Sequence, residues 1–172
     1  MRWVEYFRTL AHTVKLKSKD ESTQIGAIIV GKDKEIVSTG YNSFPRGLKD
    51  NIRERQQRPE KYFWFEHAER NAIYNAARIG VSTKDCTMYL SCGIPCSDCA
   101  RGIINAGITR IFCEKGVTTK GPHWEENYHR SFSMLEEAGI NIQFYDDEYG
   151  LSLIHISEPT RRYAISYAVF CL

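Results

Sequence analysis

Two short segments hold the residues best suited to chemistry, His67-Ala68-Glu69 and Pro95-Cys96-Ser97-Asp98-Cys99. Cys96 and Cys99 are three residues apart, so on one helical turn both sulfurs face the same way. A helix N-terminus presents unpaired amides with partial positive charge, which favours thiolates there. Two thiolates and a neutral imidazole balance a Zn²⁺ ion. Structural zinc sites normally close with a fourth protein ligand, whereas three ligands leave a coordination position for water, whose pKa zinc lowers from about 15.7 toward about 7. Glu69 lies only two residues from His67, and positions with that spacing point apart in mid-helix. The pair is therefore expected at a helix entry, with His67 in the first turn or cap and Glu69 reaching the reacting centre as acid and base.

The elements that must position these groups follow from apolar periodicity. Trp3, Val4, Phe7, Leu10, Ala11 and Val14 recur at three and four residues and predict an amphipathic opening helix. Strands are expected at 25–30, 35–39, 86–91, 108–114 and 141–145, the first two joined by a turn at 31–34. Further helices are expected from residue 67 to a stop at Gly80, at 97–106 and at 124–138. The order α-β-β-α-β-α-β-α-β predicts an α/β domain, a sheet between helical layers whose second half is parallel. The stretch 41–65, with Pro45, Gly47 and Pro59, reads as one long loop of the kind that more often serves function.

Composition bounds the partners. The 172 residues carry 23 Lys+Arg against 21 Asp+Glu, a formal charge of +2, which argues against a broad polynucleotide-binding surface. No run approaches the roughly 20 apolar residues of a membrane span. Arg2, Glu5 and Arg8 interrupt any secretion-signal pattern, so a cytoplasmic protein is expected. Residues 151–172 resemble a reading frame through a transposase-type sequencing adapter. The catalytic domain is accordingly expected within 1–150, with 151–172 an artefactual tail outside it.

H-x-E followed by P-C-x-x-C resembles the signature of zinc nucleobase deaminases. Ser18-Lys19-Asp20, Gly40-Tyr41-Asn42 with Pro45-Arg46-Gly47, and Glu66 to Ile73 resemble the deoxycytidylate branch of that superfamily. The resemblance implies a three-layer α-β-α cytidine-deaminase-like fold with a five-stranded mixed sheet. It implies hydrolysis of dCMP to dUMP and ammonia with Zn²⁺ held by His67, Cys96 and Cys99, and Glu69 as proton shuttle. Asn42 is implied at the sugar and base, and the Ala68 amide at the pyrimidine carbonyl. A small nucleotide is the implied partner, in a homo-oligomer that is a hexamer in the family.

For the phosphate, the loop cations Arg46, Lys49, Arg53, Arg55, Arg58 and Lys61 are candidates, with Arg53 and also Lys19 put forward. Trp124 and Tyr128 could face the pyrimidine or simply pack in the core. Regulation by nucleotides is implied through Tyr41 and Arg78. Ser43 stands where the family has a glycine, which would matter if the backbone there had to be left-handed. Cys86, Cys92 and Cys113 read as buried free thiols, and His123 and His129 as surface residues. A tRNA adenosine deaminase or another nucleoside or nucleotide deaminase, such as a cytidine deaminase, is the enzymatic alternative, and a non-catalytic zinc-stabilised binding module the alternative of another class.

Overall fold

A computed structural model describes residues 1–116 and 122–145; the expected tail at 151–172 lies outside them, as does the His123 side chain. Helix α1 spans Trp3–Val14, β1 Gly26–Val30, β2 Ile36–Tyr41, α2 Lys61–Trp64, α3 Ala68–Ile79, β3 Thr87–Leu90, α4 Ser97–Asn105, β4 Arg110–Cys113, α5 Pro122–Glu137 and β5 Asn141–Phe144. The strand order is β2-β1-β3-β4-β5. β1 is antiparallel to β2 and β3, while β3, β4 and β5 run parallel. This is the mixed five-stranded sheet expected from the sequence.

Side-chain alternation along the strands makes the layers. Ile28 and Val30 of β1 face one side with Tyr89 and Phe112, where Phe7 and Ala11 of α1 cover them. Ala27, Ile29, Met88, Leu90 and Ile111 face the other side, against Ala72 of α3, Ile103 of α4 and Leu135 of α5. A period of two in the strands thus meets a period of 3.6 in the helices on both faces, giving α-β-α.

Most element boundaries shift by one or two residues, and the stretch between β1 and α3 differs most. The turn after β1 closes with the Gly31 amide donating to the Glu35 carbonyl at 2.9 Å, and Lys34 adopts a positive φ of 71°. β2 then runs on to Tyr41 through Gly40, whose missing side chain matters: a Cβ there would lie 2.3 Å from the Ala72 nitrogen and 2.4 Å from the Ala68 carbonyl. Gly40, which looks like a strand breaker in sequence, is what lets α3 settle on β2. The expected single loop at 41–65 contains a 3-10 turn at Arg53–Gln56 and the one-turn helix α2.

Candidate metal and catalytic centre

His67 and Cys96 are the N-cap residues of α3 and α4, both with extended backbone, φ −77°, ψ 153° and φ −69°, ψ 167°. Cys99 is three residues into the α4 side of that cap and fully buried. The two helices therefore deliver their first turns to one point, each with its unpaired amides directed there. The Cys96 and Cys99 sulfurs each lie 3.4 Å from Nδ1 of His67. All three donor atoms fall within 4.8 Å of one another, the one such group among the described residues.

Neighbouring segments fix this point. The Asn127 side chain of α5 accepts from the Ser97 amide at 2.8 Å and donates to the Ser97 hydroxyl at 3.0 Å, capping α4. The fully buried Ser131 donates to the Pro95 carbonyl at 2.6 Å. Tyr128 packs with Cys96 and Cys99, and Trp124 against them.

Glu69 is the second residue of α3, 3% exposed, and its Oε2 is buried without a hydrogen-bond partner. Burial pushes its carboxyl up, opposed by the charge of His67. Cys96 is held down to about 4 by its bond with Cys99, then, against burial, by His67. Burial works against charge on His67, but Cys96 and Glu69 outweigh it and push the imidazole up to about 9. Burial drives the Cys99 thiol up.

The donor set fits zinc. Tetrahedral ligation with Zn–N near 2.0–2.1 Å and Zn–S near 2.3 Å requires N···S separations of about 3.6 Å, close to the separations found. A buried carboxylate oxygen left unpaired beside three soft and borderline donors is otherwise costly, since an unsatisfied buried polar group loses about 1–3 kcal/mol or more.

The group opens into a cavity lined by Asp20, Thr23, Ile25, Asn42, Lys61, Tyr62, Phe65, Cys92, Ile94, Trp124 and Tyr128, besides His67, Glu69 and Cys96. Asn42 is 6% exposed and heavily committed: its Oδ1 accepts from the Ile25 amide at 2.8 Å, and its Nδ2 donates to Asp20 and to the Thr23 carbonyl. Both Nδ2 donors are used, so one Oδ1 lone pair is what it still offers. Ala68, the first residue of α3, is fully buried in the core.

Other expected residues lie elsewhere. Lys19 pairs with Asp50 and lines a second depression with Tyr41, Ser43 and Arg46, so it is not at the metal group. Arg53 is exposed on the 3-10 turn and Arg78 exposed in the last turn of α3; neither lines either cavity. Ser43 has no positive φ, so serine meets no backbone strain there; it forms a β-bridge with Glu66. Cys86, Cys92 and Cys113 are buried and in no disulfide among the described residues, as expected.

Sequence reasoning places Lys61 only among six loop cations, and it misses Asp20 as a site residue and the pairing of the two. Asp20 and Lys61 are 3% and 8% exposed, and Lys61 Nζ lies 2.5 Å from Asp20 Oδ2. Ser18-Lys-Asp20 was visible as a motif, but nothing in the spacing linked it to a lysine in the later loop.

An α/β domain whose helix N-termini converge on a His/Cys/Cys group with an acid beside it defines a class, that of the zinc-dependent hydrolases. The chain belongs to the cytidine and deoxycytidylate deaminases: residues 1–115 match the model of that family's zinc-binding region. It is 39% identical over 167 residues to the deoxycytidylate deaminase of Mus musculus, covering 94% of this chain and 90% of that one. It is 35% identical over 141 residues to an uncharacterized deaminase in the luxG 3′ region of Aliivibrio fischeri, covering 82% and 92% of the two chains. The fold is similar to a dCMP deaminase from cyanophage S-TIM5 in complex with dCMP and dUMP, with a TM-score of 0.66 at 20% identity over 81% of this chain and 94% of that one. Among the described residues no helix is long and apolar enough to cross a membrane.

Proposed function

We propose that this protein hydrolyses dCMP to dUMP and ammonia. The observation that carries the proposal is the unpaired Glu69 Oε2, buried beside the three zinc donors and facing a cavity walled by aromatic rings. The deoxycytidylate deaminase relatives supply the substrate class.

His67 Nδ1 and the sulfurs of Cys96 and Cys99 would hold zinc, which when bound would supply an electrophilic centre that acidifies water near neutral pH. Glu69 Oε2 takes the two protons of the attacking water in turn, passing the first to the ring nitrogen as the carbon–oxygen bond forms and the second to the amino group as the carbon–nitrogen bond breaks, so that water enters and ammonia leaves. Its raised pKa suits a group that must both accept and donate near neutrality. Phe65, Trp124 and Tyr128 exclude water from the ring and orient it. Ala68 stands at a helix N-terminus, where its amide is one of the unpaired donors available to a pyrimidine carbonyl. Asn42 offers its remaining lone pair to a sugar hydroxyl.

For the phosphate, Lys61 replaces Lys19 and Arg53 as the candidate, because it is the loop cation that lines this cavity. Its ammonium rests on Asp20 and on the Ser22 hydroxyl at 2.6 Å. Asp20 accepts four other bonds, from the Ser22 amide and hydroxyl, the Thr23 amide and Asn42. Lys61 can therefore turn to an incoming anion without stranding the carboxylate. The test is a panel of dCMP, dCTP, deoxycytidine and an adenosine-containing tRNA stem-loop, followed by ammonia release. dCMP is expected to have the highest kcat/KM; a preference for dCTP or RNA, or no turnover by the zinc-loaded protein, overturns the reading.

A further inference from the structure

The two helices that carry the zinc donors are tied to each other by a charged bridge outside the cavity. Arg70, on the first turn of α3, directs Nη2 and Nε to Oε1 of Glu66 at 2.5 and 2.6 Å. The same Glu66 oxygen accepts the backbone amide of His67 at 2.9 Å. One carboxylate oxygen thus receives both the guanidinium and the main chain of the residue whose imidazole would hold the metal.

On its other side, Arg70 Nη1 approaches Asp98 Oδ2 at 3.7 Å. Asp98 lies between Cys96 and Cys99 in the first turn of α4 and also pairs with Arg101. The aliphatic stem of Arg70 lies beside α4: a Cβ on Gly102 would meet its Cγ at an ordinary contact distance of 3.5 Å.

We infer that Arg70 is a positioning residue of the zinc site, which through Glu66 and Asp98 holds the His67 cap and the Cys96–Cys99 turn at ligand spacing. The physical reason is that the donors come from two separate helices. Nothing within either helix sets the distance between His67 Nδ1 and the sulfurs, and a rotation of α3 against α4 would spread them. A planar fork with fixed donor directions resists such a rotation better than a point charge does. The remaining partner, Glu66, is itself pinned by its backbone bridge to Ser43, with bonds of 2.8 and 3.1 Å. Groups that orient metal ligands typically account for 10- to 100-fold of metal affinity.

The inference rests on the zinc reading of the triad, so the zinc content of the unmodified protein is measured first; a stoichiometry near zero would fail that reading and leave nothing for Arg70 to position. With zinc established, its dissociation into a chelator such as EDTA is followed for the full chain and for Arg70→Met, Arg70→Lys and Asp98→Asn, together with the melting temperature of each zinc-free form. Arg70→Met is expected to release zinc about 10- to 100-fold faster, with Arg70→Lys recovering only part and Asp98→Asn showing a smaller effect in the same direction. The zinc-free melting temperatures are expected to stay together. Zinc release from Arg70→Met within twofold of the unmodified protein overturns the inference. So does complete recovery by Arg70→Lys, because a point charge would then suffice. If Arg70→Met fails to fold, the exposed Asp98→Asn decides: unchanged release overturns the inference.

Discussion

Cys96 Sγ lies 3.4 Å from His67 Nδ1, although the two residues are the N-caps of different helices and are 29 positions apart in the chain. A cap residue is held outside the helix by its own extended backbone, so its side chain can point along the axis toward whatever the unpaired amides face. Two caps aimed at one point make a donor pair without any irregular loop. Cys96→Ser is expected to lower zinc affinity by more than the roughly 100-fold typical of losing a supporting residue, read by zinc content after dialysis against a chelator.

Glu69 separates metal binding from proton transfer. Glu69→Gln keeps the shape of the side chain and removes its ability to carry a proton. Zinc content is expected to remain at that of the unmodified protein while kcat for dCMP falls by at least about 10²- to 10⁴-fold. Undiminished ammonia release would refute the assigned role.

Lys61→Gln is expected to raise KM for dCMP about tenfold or more, as the loss of a charge-assisted contact worth roughly 1.5–3 kcal/mol requires. Deoxycytidine, which lacks the phosphate, should be turned over with an unaltered KM. An equal rise for both substrates would show that Lys61 shapes the cavity and does not read the phosphate.

Asp20 gives a pH-dependent stability. Burial would raise its carboxyl, but Lys61 and the Ser22 and Thr23 amides reverse this and hold it below the usual range. A carboxylate favoured by the folded state stabilises it fully above the unfolded pKa of about 3.9, and that stabilisation is lost as the pH falls through the lower folded value. Asp20→Asn should therefore cost about 3–5 kcal/mol at pH 7, because it leaves Lys61 buried without its partner. Urea melts at pH 7 and pH 3 check this: the gap between the two proteins should narrow at the lower pH.

Gly40→Ala should destabilise by about 1–3 kcal/mol or more, since the added methyl would meet the α3 backbone, which cannot swing aside as a flexible side chain could. A melting temperature within a degree of the unmodified protein would contradict the close packing of β2 on α3.

For residues 151–172, the adapter-like reading predicts that ending the chain at Gly150 leaves zinc content and melting temperature unchanged. A marked loss of stability would show that the tail contributes to folding.

Much of this protein is legible in its sequence because its strongest signals are local. The alternation between apolar runs and 3.6-residue stripes determines the element order, and H-x-E with P-C-x-x-C determines the donor types and their place at helix starts. Cys96 and Cys99 share a turn whatever the rest of the chain does. Signals that depend on distance between elements are not written in this way. Lys19 and Lys61 are equally basic in sequence, yet the fold buries Lys61 against Asp20 in the cavity and leaves Lys19 outside with Asp50. Arg53 matched a chemical need, but its backbone puts it on an exposed 3-10 turn away from the cavity. Asn127 and Ser131 carry no motif at all; they matter because α5 crosses the start of α4. Residue type and short spacing determine which groups can bind metal or carry a proton. Which charges meet substrate and which caps converge is decided by packing, because hydrophobic burial on both faces of the sheet sets the separation of helices that no local hydrogen bond connects.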